Sequence, residues 1–266
     1  MTKTKTKTKT KTKTKTKTKT KTKTKTKTKT KTKTKTKTKT KQVFKLTNEA
    51  LQTHNNFQWT VGEWCEAPGT GELCSEGWLH WYHSAELALL LNPIHANIDN
   101  PRLFVAEASG AMRDDFGLKG GSTKLRITQE IQYVAPTMEQ RIKFAILCAS
   151  AVCRDTAFLE WANNWLNGNN RSSKAADKAY RAAAARAAAA YAAADAAAAA
   201  AAAAISAAAA AARAAASNAA AAYAADADAA AAHAADAAAD AAAAAAYAAR
   251  AGIKLDLVAI AKQAME

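Results

Sequence analysis

The sequence predicts an α+β protein: a small, mostly antiparallel head, a helical pair, a long alanine-rich helix and a disordered N-terminal Thr-Lys tract. Three observations predict it. Between residues 42 and 135, short aromatic and β-branched runs are punctuated by Gly, Pro and Asn, the pattern of strands and turns. Two capped, apolar-periodic segments follow over 136–168. Alanine then dominates, with neither glycine nor proline between Arg171 and Ala251, and alanine has the highest helix propensity.

Residues 2–41 alternate Thr and Lys without a break. As a strand, this tract would align every lysine on one side and bury nothing, so self-repulsion and entropy predict disorder. Its deletion is expected to leave the melting temperature of the body nearly unchanged. Salt-sensitive binding to nucleic acid, the weak and non-specific partner such a polycation implies, should be lost in the same variant. Removing its twenty lysines turns the formal net charge from +16 to −4, so the basic balance belongs to the tract alone.

In the head (42–135), Val43-Phe44-Lys45-Leu46, Phe57-Gln58-Trp59-Thr60-Val61, Trp78-Leu79-His80-Trp81-Tyr82 and Leu103-Phe104-Val105-Ala106 read as strands, the last ending near Gly110. Lys124-Leu125-Arg126-Ile127-Thr128 alternates polar and apolar, with Ile131 and Tyr133 in phase. Ser84 is a natural N-cap for a helix over 85–91, which should stop at Asn92-Pro93 because proline disfavours a helical residue before it.

Thr137 and Gln140 form a capping box for the next helix, with Ile142, Ala145, Ile146 and Ala149 on one face. Asp155 caps a second helix that presents Phe158, Trp161, Ala162 and Trp165 and stops at Gly168. The alanine-rich helix (169–251) carries larger residues at multiples of seven, from Asp177 through Tyr191 and Ile205 to Tyr247, a spacing that favours a left-handed supercoil. A rod of about 120 Å follows from the helical rise. Self-association through this helix is expected, with the closing amphipathic helix (252–266, capped by Asp256) packed on a neighbouring chain.

No apolar leader opens the chain, and the longest uncharged alanine stretch, 196–212, falls short of the about 20 apolar residues of a membrane span. The expected setting is cytoplasmic, with Cys65, Cys74, Cys148 and Cys153 as free, mostly buried thiols.

Several head motifs carry a resemblance: Phe44-Lys45-Leu46-Thr47-Asn48, Trp59-Thr60-Val61-Gly62, Leu73-Cys74-Ser75-Glu76-Gly77-Trp78-Leu79-His80, Leu91-Asn92-Pro93-Ile94-His95-Ala96-Asn97 and Asn100-Pro101-Arg102-Leu103-Phe104. In these the chain resembles an uncharacterised family of phage and prophage proteins with a Gly-x-x-His head and an alanine-rich C-terminal tail. The Thr-Lys tract lies outside that pattern. The resemblance implies an origin, in a bacterial host's cytoplasm or with the phage, and no mechanism.

The candidate chemistry is sparse. His80, His83 and His95 with Cys65 and Cys74 lack the tight pairs of a zinc site, so no metal and no cofactor is expected. His80 and Tyr82 share a strand face, and with a carboxylate such as Glu107 or Glu130 they are the candidate catalytic set. A histidine–tyrosine–glutamate set on split strands resembles that of ADP-ribosyltransferases, which implies a nicotinamide nucleotide held by His80 and Tyr82. His95, Asn97 and Arg102, in and after the Asn-Pro turn, are candidate binding residues. The expected role is a non-enzymatic accessory or interaction protein with a helical spacer or oligomerisation tail; a small nucleotide-using enzyme is the alternative.

Overall fold

The computed structural model describes residues 40–192, 211, 239, 242, 248 and 252–266. The Thr-Lys tract through 39 and most of the alanine-rich stretch lie outside the described residues, and the expectations of disorder and of a seven-residue supercoil fall there. Lys41 opens the first strand and pairs with Ala108, so a tract deletion should end before Thr40.

The head is an antiparallel sheet. Its strands are β1 (Lys41–Thr47), the short β2 (Gln52–Thr53) and β3 (Phe57–Gln58), β4 (Cys65–Glu66), β5 (Leu79–Trp81), β6 (Arg102–Asp115) and β7 (Lys119–Ile131). The order is β1-β6-β7-β4, with β5 also on β7 and a separate β2-β3 ribbon. A single bridge, Phe44 to Tyr82, ties the end of β5 to β1. Strands β1, β6, β7 and β5 therefore form a ring.

Period-two alternation assigns the two faces. Val43, Leu79, Trp81, Phe104, Ala106, Ala108, Leu125 and Ile127 gather with Trp59 in one core, drawn from all four strands of the ring. Trp81 fills it so closely that a Cβ on Gly120 would lie 2.2 Å from the indole. Leu46, Tyr82, Leu103 and Leu118 face the other way into a larger core shared with the helices.

Those helices are α1 (Ala85–His95), α2 (Met138–Val152), α3 (Thr156–Leu166), α4 (Ser173–Ala192) and α5 (Leu257–Met265). The caps are those the sequence predicts: Ser84 Oγ accepts from Leu87 N, Thr137 and Gln140 make the reciprocal box, and Asp155 and Asp256 accept from Phe158 N and Ala259 N. Among the described residues no helix is long and apolar enough to cross a membrane. Cys148 and Cys153 are buried free thiols, whereas Cys65 is half-buried and Cys74 exposed.

Four expectations need correction. The strand expected over 57–61 pairs only through Phe57–Gln58, because Trp59 leaves the ribbon to enter the core. Strand β6 does not end near Gly110 but continues to Asp115 past a register shift between Ser109 and Met112. That irregularity lets one long strand bend instead of stopping.

Helix α1 passes through Pro93 to His95 instead of stopping before it. Proline has no N–H, so the Leu89 carbonyl one turn earlier loses its helical donor. The Arg141 guanidinium lies 3.5 Å from that oxygen and 3.4 Å from Leu90 O. Asn92 then bonds Ile98 through both its amide groups, at 2.9 and 3.2 Å, and fixes the last turn.

The closing helix, expected on a neighbouring chain, packs as α5 against α1 and α2 of its own chain. Leu257, Ala261 and Ala264 are buried in the larger core, and Gln140 Nε2 donates to Met265 O at 2.7 Å. Ala211 and Ala242 lie in the same core. The tail thus returns to the head, because an apolar helix face finds its cover within the chain.

Candidate functional site

A cavity of about 720 Å³ opens where β1 and β5 part. At the Phe44–Tyr82 bridge the two strands exchange both backbone hydrogen bonds, at 2.9 and 2.8 Å. Two residues earlier on β5, the His80 carbonyl is taken instead by a side chain: Lys45 Nζ donates to it at 2.8 Å. Lys45 alternates with Val43 on the apolar face of β1, pairs with Phe104 across the ladder, and lies 5.1 Å below the Trp59 ring centroid.

Only 8% of Lys45 is exposed. Among the described residues no carboxylate forms an ion pair with it. A buried ammonium without a counter-ion is costly, and burial accordingly pulls the Lys45 amine down from 10.5 to about 8.

Around this amine the lining is basic and aromatic. From β5 come His80 and, just beyond it, Tyr82; from the end of α1, His95; from the start of β7, Lys119; with them Trp59 and Trp78. The His80 ring contacts the Leu73 carbonyl through Nε2. Burial first, and then Lys45 and Lys119, hold its pKa below the usual histidine range despite that bond. His95 stacks on Tyr82 with centroids 6.0 Å apart, and burial together with Lys119 and His80 pushes it down to about 4. Among the described residues its buried Nδ1 finds no partner. Burial raises the Tyr82 phenol. Burial thus disfavours the charged form of both His80 and His95.

A glycine-rich turn brings Cys74, Ser75 and Glu76 to the rim. Gly69 N donates to Gly77 O at 2.8 Å, and a Cβ on Gly77 would sit 1.8 Å from Thr70 O, so no side chain fits there. The rim acids are partly engaged: Glu66 pairs with Lys124 at 2.6 Å, and Glu76 accepts from Asn55 Nδ2 at 3.4 Å.

Of the residues singled out in the sequence, His80, Tyr82 and His95 meet on this cavity. Glu107 and Glu130 do not line it. Glu107 pairs with Arg126 at 2.7 Å and Glu130 with Arg102 at 2.5 Å, so the two carboxylates and the candidate Arg102 hold the sheet surface together. Asn97 lies in the turn after α1 with φ +47°, between Ala96 and Ile98, which line the cavity while Asn97 itself does not. His83 turns away to Asp114, 2.5 Å distant. Among the described residues no group of three or more His, Cys, Asp or Glu is placed to hold a metal ion.

The residue sequence reasoning missed is Lys45. Its signal was present, since Lys45 shares the phase of Val43 on a strand whose apolar side must be buried.

This head has a counterpart among known sequences. Residues 41–138 match DUF7666, a domain of unknown function. The matched segment begins with the first residue of β1, contains every described strand and α1, and ends at the first residue of α2. Every cavity-lining residue named above falls within it. No curated protein and no solved structure matches the chain.

Proposed function

We propose that the protein is a non-enzymatic accessory protein, of the phage-associated kind its motifs resemble, whose head binds a small organic anion. The observation that carries this reading is the buried Lys45 ammonium, without a carboxylate partner among the described residues, on the wall of a cavity. Lys119 adds a second cation, and Trp59 and Trp78 border the same space. An anion entering there supplies the missing counter-charge, so binding and relief of the buried charge are one event. The alanine-rich stretch serves as spacer or self-association element.

The test is Lys45→Met in the full chain. The folded amine titrates near 8 and the unfolded one near 10.5. Between those values the unfolded chain holds the extra proton, so wild-type stability rises with pH across that window. The penalty is fully present below about pH 8, on the order of 3 kcal/mol. Lys45→Met should lack this pH dependence and melt no lower than wild type at pH 7. Inorganic phosphate or adenosine monophosphate should raise the wild-type melting temperature at pH 7 and leave Lys45→Met unmoved. Equal stabilisation of both proteins would defeat the proposal.

A second reading, a small nucleotide-using enzyme, is favoured by one observation: His80 and Tyr82 line the same cavity. It predicts nucleotide-dependent stabilisation that His80→Ala abolishes, with inorganic phosphate giving none.

A further inference from the structure

We propose that Lys45 is a nucleophile that captures an anionic aldehyde or ketone as a reversible imine within the head cavity. This rests on the anion-binding reading above and names its ligand class. The geometry supports an amine prepared for addition. Nζ makes one hydrogen bond, to the His80 carbonyl, and among the described residues meets no carboxylate that would hold it as ammonium. The Trp59 ring covers one side, and the side chain borders a space large enough for a planar molecule of nucleotide size. Lys119, on the same lining, is a second cation suited to the ligand's anionic group.

Desolvated lysines in such settings are the ones that form Schiff bases. The lowered pKa agrees with this, since an amine at about 8 instead of 10.5 has on the order of a hundredfold more free base at neutral pH. The step balances without a further reactant. The free amine adds to the carbonyl carbon to give a carbinolamine, and its two N–H hydrogens leave with the carbonyl oxygen as water. A C=N bond remains, and hydrolysis reverses the sequence. Nothing is oxidised or reduced, so the step is capture and release of a ligand.

The experiment uses pyridoxal 5′-phosphate as the probe, a planar aldehyde carrying a phosphate, added to the full-length chain near pH 7.5. Sodium borohydride then reduces any imine to a stable secondary amine, and peptide mass mapping locates it. Lys45 should be labelled about tenfold more than any single lysine of the Thr-Lys tract, because its lowered pKa leaves more free base than an ordinary lysine has. Excess inorganic phosphate should suppress the Lys45 adduct and spare the tract. Labelling confined to the tract, in a wild-type chain still stabilised by phosphate, would overturn the imine and leave the anion site standing. Absence of both the adduct and the stabilisation would remove both readings. Lys45→Arg provides the complementary check: it keeps the charge and should keep phosphate stabilisation while losing the adduct.

Discussion

Trp161→Ala is expected to lower the free energy of unfolding by about 3–5 kcal/mol, the usual cost of truncating a buried aromatic. Trp161 is 8% exposed and packs with Phe158 at a centroid distance of 5.6 Å, in the core that also holds Ile142, Ile146 and Trp165. The indole contributes more than area. Among the described residues its buried Nε1–H finds no hydrogen-bond partner. Trp161→Phe removes that donor and keeps most of the ring, so its loss should be clearly smaller than that of the alanine variant. Equilibrium denaturation in urea gives both values from shifts in midpoint at constant slope. An unmoved midpoint in Trp161→Ala would place this side chain outside the core and make it a candidate contact surface.

The helical caps were legible because each is a local rule: a short polar side chain reaching a backbone N–H three residues on. Thr137, Asp155 and Asp256 needed no tertiary information. Strand existence was legible for the same reason, since Val43, Leu79 and Leu125 announce an apolar face within a few residues. What was hidden depended on partners distant in sequence. Pro93 should end a helix by local reasoning, and it does not because Arg141, on another helix, reaches the carbonyl that proline leaves open. The cavity was half visible. His80 and Tyr82 share a strand face, but the carboxylates chosen to complete them are held by Arg126 and Arg102 across the sheet, pairings fixed by strand register. Lys45 was overlooked because a lysine is ordinarily taken as exposed, although its alternation with Val43 places it on the buried side.

The closing helix gives the other large effect. Deleting residues 257–266 should cost at least as much as the about 2–5 kcal/mol expected for Leu257→Ala alone, because it uncovers faces of α1 and α2 together. Leu257 is 2% exposed, and Ala261 and Ala264 are fully buried beside it. Leu257→Asp should be worse than alanine, since it adds a carboxylate to a buried apolar site. The decisive quantity is the dependence on protein concentration. A helix packed on its own chain makes melting a unimolecular event, so the melting temperature should not change between low and high micromolar protein. If a neighbour supplied the helix, dilution would lower it, and the same contacts would be made by exchange between chains. A mixing experiment separates the two: a chain lacking 257–266, added to the intact chain, should gain no stability from it. Self-association through the alanine-rich stretch can then be measured by sedimentation on the full chain, independently of where the closing helix sits.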